Sequence, residues 1–182
     1  MKRFALVGIS LVLLSGSAFG WVDKSDGNDV QSPLDIKRMG LKLPKGTPFG
    51  SGKPVQCRVQ YWDDVTKEQV HNFKCYFDHK GNDLFDVWTE VEWDFQQGKL
   101  VGQWWRFKNG VPDQVSAGLK VTHNANTDTT YVKIPRKRLR GRAGHLRWAG
   151  YTWSNESPCP DPGFGCDDEA PNNGGSWKFE YH

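Results

Sequence analysis

The chain has 182 residues, of which 37% are hydrophobic and 25% charged, with a formal net charge of +3 at pH 7. Without its first 20 residues it keeps 162 and a charge of +1, because Lys2 and Arg3 go with them. That length supports one domain with a real core, and so neutral a chain excludes any partner chosen by net charge alone.

The first 20 residues have the form of a secretory signal peptide. Lys2 and Arg3 make a short positive start, residues 4–14 form an apolar run broken by Gly8 and Ser10, and Ala18-Phe19-Gly20 places small residues where a signal peptidase reads. The run is too short for a membrane span and lacks a stop-transfer flank. The expectation is a mature chain from Trp21, exported to the periplasm or the cell exterior, with no transmembrane segment. Residues 21–182 read as a single domain.

Helical periodicity is nearly absent from the rest. Short alternating segments rich in Val, Trp, Tyr, Phe and Thr are split by Gly, Asn, Asp and Pro clusters, which is an antiparallel all-β pattern. Strands are expected at 34–39, 55–62, 69–78, 84–95, 100–108, 114–123, 129–135, 146–154 and 177–181. Turns are expected at 63–68, 80–83, 96–99, 109–110 and 124–128. The predicted fold class is all-β, an antiparallel two-sheet β-sandwich of jelly-roll-like form. The segment 154–176, rich in Pro, Gly, Asn and Asp, reads as one long ordered loop.

Four cysteines in an exported chain read as disulfides, and sequence allows three pairings. Cys57–Cys75 and Cys159–Cys166 are favoured, since each pair flanks a local reversal of the chain; a zinc site is the alternative, but neither spacing is CxxC. If Cys57 faces Cys75 across a hairpin over 55–78, then Val59 faces Phe73 and all four share a buried face.

Two acidic clusters stand near the ends of the mature chain. Asp26-Gly-Asn-Asp29 leads into Val-Gln-Ser-Pro-Leu-Asp35-Ile, and Asp167-Asp168-Glu169-Ala-Pro follows Cys166. Sandwich termini often lie close together, and crowded carboxylates repel unless a cation sits between them. Calcium suits irregular oxygen-rich loops, so Asp26, Asp29, Asp35 and Asp168 are candidate ligands for a structural calcium ion. Separate solvated turns are the plain alternative.

"DVQSPLDI", "VEWDF", "YVKIPRKRL", "LRWAGYTW" and the closing "CDDEAP" occur in this order. The series resembles a group of secreted bacterial β-sandwich proteins, common in actinobacteria, with D-V-x-G-P-L-D-I near the start and D-x-A-P near the end. Ser32 stands here in place of the Gly. The resemblance implies the all-β fold and the meeting of the acidic ends, and it implies no activity.

Alternation puts Glu90, Glu92 and Asp94 on one strand face. The run resembles the E-x-D-x-E strand of jelly-roll glycosidases related to laminarinases, which implies a nucleophile and an acid/base. The order Glu, Glu, Asp departs from that pattern, and the polar outer face of a strand explains the spacing as well. A small glycoside hydrolase using these three carboxylates is therefore the alternative function, not the first one.

All nine tryptophans lie in the mature chain. Pairing 84–95 with 100–108 around Gln97-Gly98 sets Trp88 opposite Phe107 and Glu90 opposite Trp105. One face then carries Trp88, Glu90, Glu92, Gln103, Trp105 and Phe107; the other carries Val91, Trp93, Phe95, Leu100 and Trp104 as core. Mixed rings, carboxylates and amides are what sugar binding uses: the rings stack on pyranose C–H faces and the polar groups take hydroxyls.

Six cations fall within residues 133–142, among them Arg136, Lys137 and Arg138. Such a patch could meet an anionic glycan or surface polymer, or simply be solvated; nucleic acid is not expected outside the cell. The five histidines show no ligand spacing, and no phosphate loop or nucleophile-elbow motif is present. The expected function is a secreted, non-catalytic module binding carbohydrate or a cell-surface polymer, with a structural or protein-interaction domain as a further alternative.

Overall fold

The computed structural model describes residues 21–27, 34–42, 54–70, 72–78, 84–139, 145–154, 166–171 and 176–180. The expected leader (1–20), Asp29 and Cys159 lie outside them. The described chain runs through twelve strands: β1 Val22–Ser25, β2 Ile36–Lys42, β3 Val55–Tyr61, β4 Asn72–Asp78, β5 Val87–Asp94, β6 Lys99–Lys108, β7 Val111–Ala117, β8 Lys120–Asn124, β9 Thr129–Ile134, β10 His145–Ser154, β11 Cys166–Ala170 and β12 Trp177–Glu180. Short 3-10 helices at Lys67–Gln69 and Arg136–Arg138 are the only helical turns among the described residues, and no helix there is long and apolar enough to cross a membrane.

The strands form two antiparallel sheets. The first has the order β1-β2-β3-β9-β8, the second β11-β10-β4-β5-β6-β7, with β12 also pairing β10. The chain changes sheet after β3, β7 and β9, so β4, β8 and β10 each lie in the layer opposite the strand before them. This is the expected β-sandwich.

Period-two alternation builds the core. In β3, Val55, Cys57, Val59 and Tyr61 point inward; in β4, Phe73, Cys75 and Phe77; in β10, Leu146 and Trp148. These side chains are sealed from solvent between the two layers. The core is tight enough to require Gly150 in β10: a Cβ there would collide with the Met39 side chain reaching across from β2.

Cys57 and Cys75 are bonded as expected, with Cα atoms 6.8 Å apart. The hairpin over 55–78 does not form, however. β3 pairs with β2 and β9, whereas β4 pairs with β10 and β5, so the bond joins the two sheets instead of two adjacent strands. Both readings demand inward-facing cysteines. Alternation fixes the face but not the neighbour across it.

Other expectations shift in detail. The strand expected at 69–78 begins at Asn72, after a 3-10 turn that Thr66 and Gln69 close by a reciprocal cap. The strand expected at 114–123 divides into β7 and β8 around Gly118, which has φ +79°. The loop expected over 154–176 contains β11, and β1 precedes the first strand expected. Phe95, expected in the core, is 72% exposed in the turn after β5. Val91 and Trp104 are core, and Leu100 packs against it.

Candidate functional site

β5 and β6 pair with Trp88 opposite Trp105, Glu90 opposite Gln103, Glu92 opposite Val101 and Asp94 opposite Lys99. This register is two residues away from the expected one, so Trp88 does not face Phe107 and Glu90 does not face Trp105. A shift of two preserves side-chain direction, and the expected face therefore survives intact. Trp88, Glu90, Glu92, Gln103, Trp105 and Phe107 all sit on the outer side of the second sheet.

The rings there form a continuous surface. Trp88 and Trp105 are stacked, with centroids 6.0 Å apart and planes 5° from parallel. Phe107 packs on Trp88 at 4.9 Å, and Tyr76 of β4 flanks Trp88 at 6.0 Å. Trp88 is buried by these neighbours, Trp105 is half-buried and Phe107 is 43% exposed. The indole N–H groups of Trp88 and Trp105 are out of solvent and meet no acceptor among the described residues.

A polar row runs beside the rings. Gln114 of β7 donates from Nε2 to Gln103 Oε1 at 2.8 Å, and Gln103 donates from Nε2 to Glu92 Oε1 at 3.2 Å. Glu90 pairs with Lys74 Nζ at 3.3 Å, and Lys74 also lies over the Tyr151 ring. Partial burial raises the Glu92 carboxyl above its ordinary range, helped by the negative charges of Glu90 and Asp94 and opposed by Lys74. Burial likewise pushes the Tyr76 hydroxyl up to about 12, with Tyr151, Glu90 and Glu169 adding to it.

Asp94 has a different task. Its Oδ1 accepts the backbone N–H groups of Gln96 and Gln97, each at 2.9 Å, and its Oδ2 accepts the Gln97 side chain. These bonds hold its carboxyl below the ordinary range, led by the Gln97 backbone. Asp94 thus closes the turn that Gly98 completes at φ +60°. The three carboxylates share a face but stand in three environments: a turn cap, an ion pair, and a partly buried acid.

Lys137 and Arg138 belong to the second 3-10 helix, which Arg136 begins. They line one side of a cleft of about 760 Å³ at the end of the sandwich. Phe107 is among the residues lining the same cleft, so the residue that ends the aromatic face also borders the basic segment.

The acidic ends of the domain do meet, through a hydrogen bond. Asp168 of β11 is buried and accepts the Ile36 backbone N–H at 2.6 Å, while Thr152 of β10 donates to the Leu34 carbonyl at 2.6 Å. Asp35 is also buried there; Asp26 bonds through its backbone N–H to the Lys37 carbonyl. Among the described residues no group of three or more His, Cys, Asp or Glu side chains is arranged to hold a metal ion. The expected Cys159–Cys166 pairing rests on Cys159, which lies outside the described residues; Cys166 opens β11.

Several site residues escape sequence reasoning. Lys74, Tyr76 and Tyr151 join the face only because β4 lies beside β5 and β10 beside β4. Alternation within 72–78 placed Lys74 and Tyr76 on one side of their strand, but nothing local says which strand comes next. Comparison with known protein families, curated proteins and solved structures finds no match for this chain.

Proposed function

We propose that this domain is an exported, non-catalytic carbohydrate-binding module whose platform is the outer face of the second sheet. The observation that carries the reading is the Trp88–Trp105–Phe107 ring surface lying against the Gln114–Gln103–Glu92 hydrogen-bonded row. Aromatic faces match the C–H faces of a pyranose, and amides and carboxylates match its hydroxyls. Half-exposed Phe107 and Trp105 offer the contact, while buried Trp88 stiffens them from below. Stiff rings lose little entropy on binding. The leader-like first 20 residues and the Cys57–Cys75 bond fit an oxidising compartment.

The environments of the carboxylates support the non-catalytic reading. Two-carboxylate hydrolysis needs one free acid and one free base or nucleophile. Asp94 is bound into its turn and Glu90 into its pair with Lys74. A glycan array probed with the purified protein tests the proposal. Selective binding to one sugar class supports it, and no binding to any glycan contradicts it. Sugar release by the wild type, lost in Glu90→Gln or Glu92→Gln, would replace it with the hydrolase.

A further inference from the structure

The cleft beside Phe107 interrupts the apolar inward row of β6. Gly102 and Trp104 of β6 face the core, and alternation makes the next inward position 106. That position is an arginine, exposed and lining the cleft. Charged residues on a core row are retained where function requires them.

The cleft has an apolar floor and a cationic rim. Val87, Trp104 and Val115 form the floor; Arg106, Lys108, Lys137 and Arg138 stand around it. Val115 reaches the floor because a bulge opposite Trp104 and Trp105 adds one residue to β7. Arg106 is held in place by Asp113, whose Oδ2 accepts from Nε at 2.9 Å and lies 2.8 Å from Nη2. Asp86 also lines the cleft. The Arg138 Nε is buried and meets no acceptor among the described residues, so an acceptor entering the cleft would satisfy a donor that now has none. The volume, about 760 Å³, suits a small polar group and not a second protein.

We infer that this cleft is an oxyanion subsite, and that the glycan taken by the aromatic face is an acidic one whose carboxylate or sulfate enters between Arg138, Lys137 and Lys108. The inference rests on the sugar-binding reading. Phe107 supplies the link, since its ring packs on Trp88 of the platform and the residue itself is part of the cleft lining. A sugar ring stacked near Phe107 would place its acidic substituent, or that of the next residue, over the rim. Arginine and lysine at a partly desolvated rim favour such an oxyanion over a neutral hydroxyl.

Calorimetric titration with three oligosaccharides of equal length tests this: oligogalacturonate, a sulfated oligomer and a neutral β-glucan oligomer. The expected result is at least tenfold tighter binding of one acidic oligomer than of the neutral one, with affinity falling as salt rises. The carboxylated and sulfated arms identify which oxyanion fits. Arg138→Gln and Lys137→Gln, each checked for unchanged melting, should remove the acidic preference and leave neutral binding as it was. Two variants keep the test standing if one misfolds. Equal binding of acidic and neutral oligomers overturns the subsite and leaves the sugar platform standing. An acidic preference unaffected by either variant also overturns it. Absence of binding to all three overturns the subsite and the platform together.

Discussion

Trp88 and Trp105 stand directly opposite each other on β5 and β6, their indoles stacked 6.0 Å apart and within 5° of parallel. Two transition dipoles at that separation couple. The protein should show a tryptophan exciton couplet in far-ultraviolet circular dichroism, and Trp105→Ala should abolish it while leaving the β-sheet signal. A couplet that persists unchanged in Trp105→Ala would show that it does not come from the Trp88–Trp105 stack.

The Cys57–Cys75 bond ties the two layers of the sandwich. Replacing both cysteines by Ala should lower stability by about 2–5 kcal/mol, as loss of a native disulfide commonly does. Chemical denaturation of the double variant measures it. Peptide mapping without reductant should recover Cys57 joined to Cys75; any other partner for either would contradict the architecture.

Glu92 gives a pH signature. Its folded-state carboxyl is raised by burial and by Glu90 and Asp94, so the folded protein holds the Glu92 proton more firmly than the unfolded chain does. A raised group favours folding below its unfolded value and loses that contribution as pH rises through its folded value. At neutral pH ionised Glu92 is therefore mildly unfavourable. Glu92→Gln should melt slightly above the wild type at pH 7, the effect being small because the group is largely solvated. The difference should shrink as pH falls through the carboxylate range. A difference that grows on acidification would reverse the assignment.

Asp168 joins the C-terminal part of the domain to the start of β2 by accepting the Ile36 N–H. Asp168→Ala leaves that buried donor without its acceptor and should cost about 1–3 kcal/mol. Because the tie is a direct hydrogen bond, the loss should be equal in calcium and in excess EDTA. A wild-type melting temperature that rises in calcium, with no rise in the variant, would show instead that a cation makes the tie.

The face that carries the site was legible in the sequence; the partners on it were not. Alternation alone put Trp88, Glu90, Glu92, Gln103, Trp105 and Phe107 together, and a two-residue error in register left that set unchanged. The same parity put Cys57 and Cys75 inward, yet it could not tell a hairpin from a crossing between sheets, because both satisfy it. Strands β1 and β11 read VDKS and CDDEA. They lie at sheet edges and bear polar side chains, so no hydrophobic period announces them. The cleft was hidden for a further reason. Arg106 and Lys137 come from different parts of the chain and are brought together only as lining of one cleft.

The most direct test of the central claim is a binding isotherm for the best oligosaccharide from the array, compared between wild type and Trp105→Ala. Truncating a stacking ring at a binding platform should weaken affinity by about 1–3 kcal/mol. Melting and β-sheet dichroism should change little, because Trp105 lies on the outer face and not in the core. Phe107→Ala should weaken binding as well. Unchanged affinity in Trp105→Ala, with the variant folded, would contradict the claim that this face binds sugar.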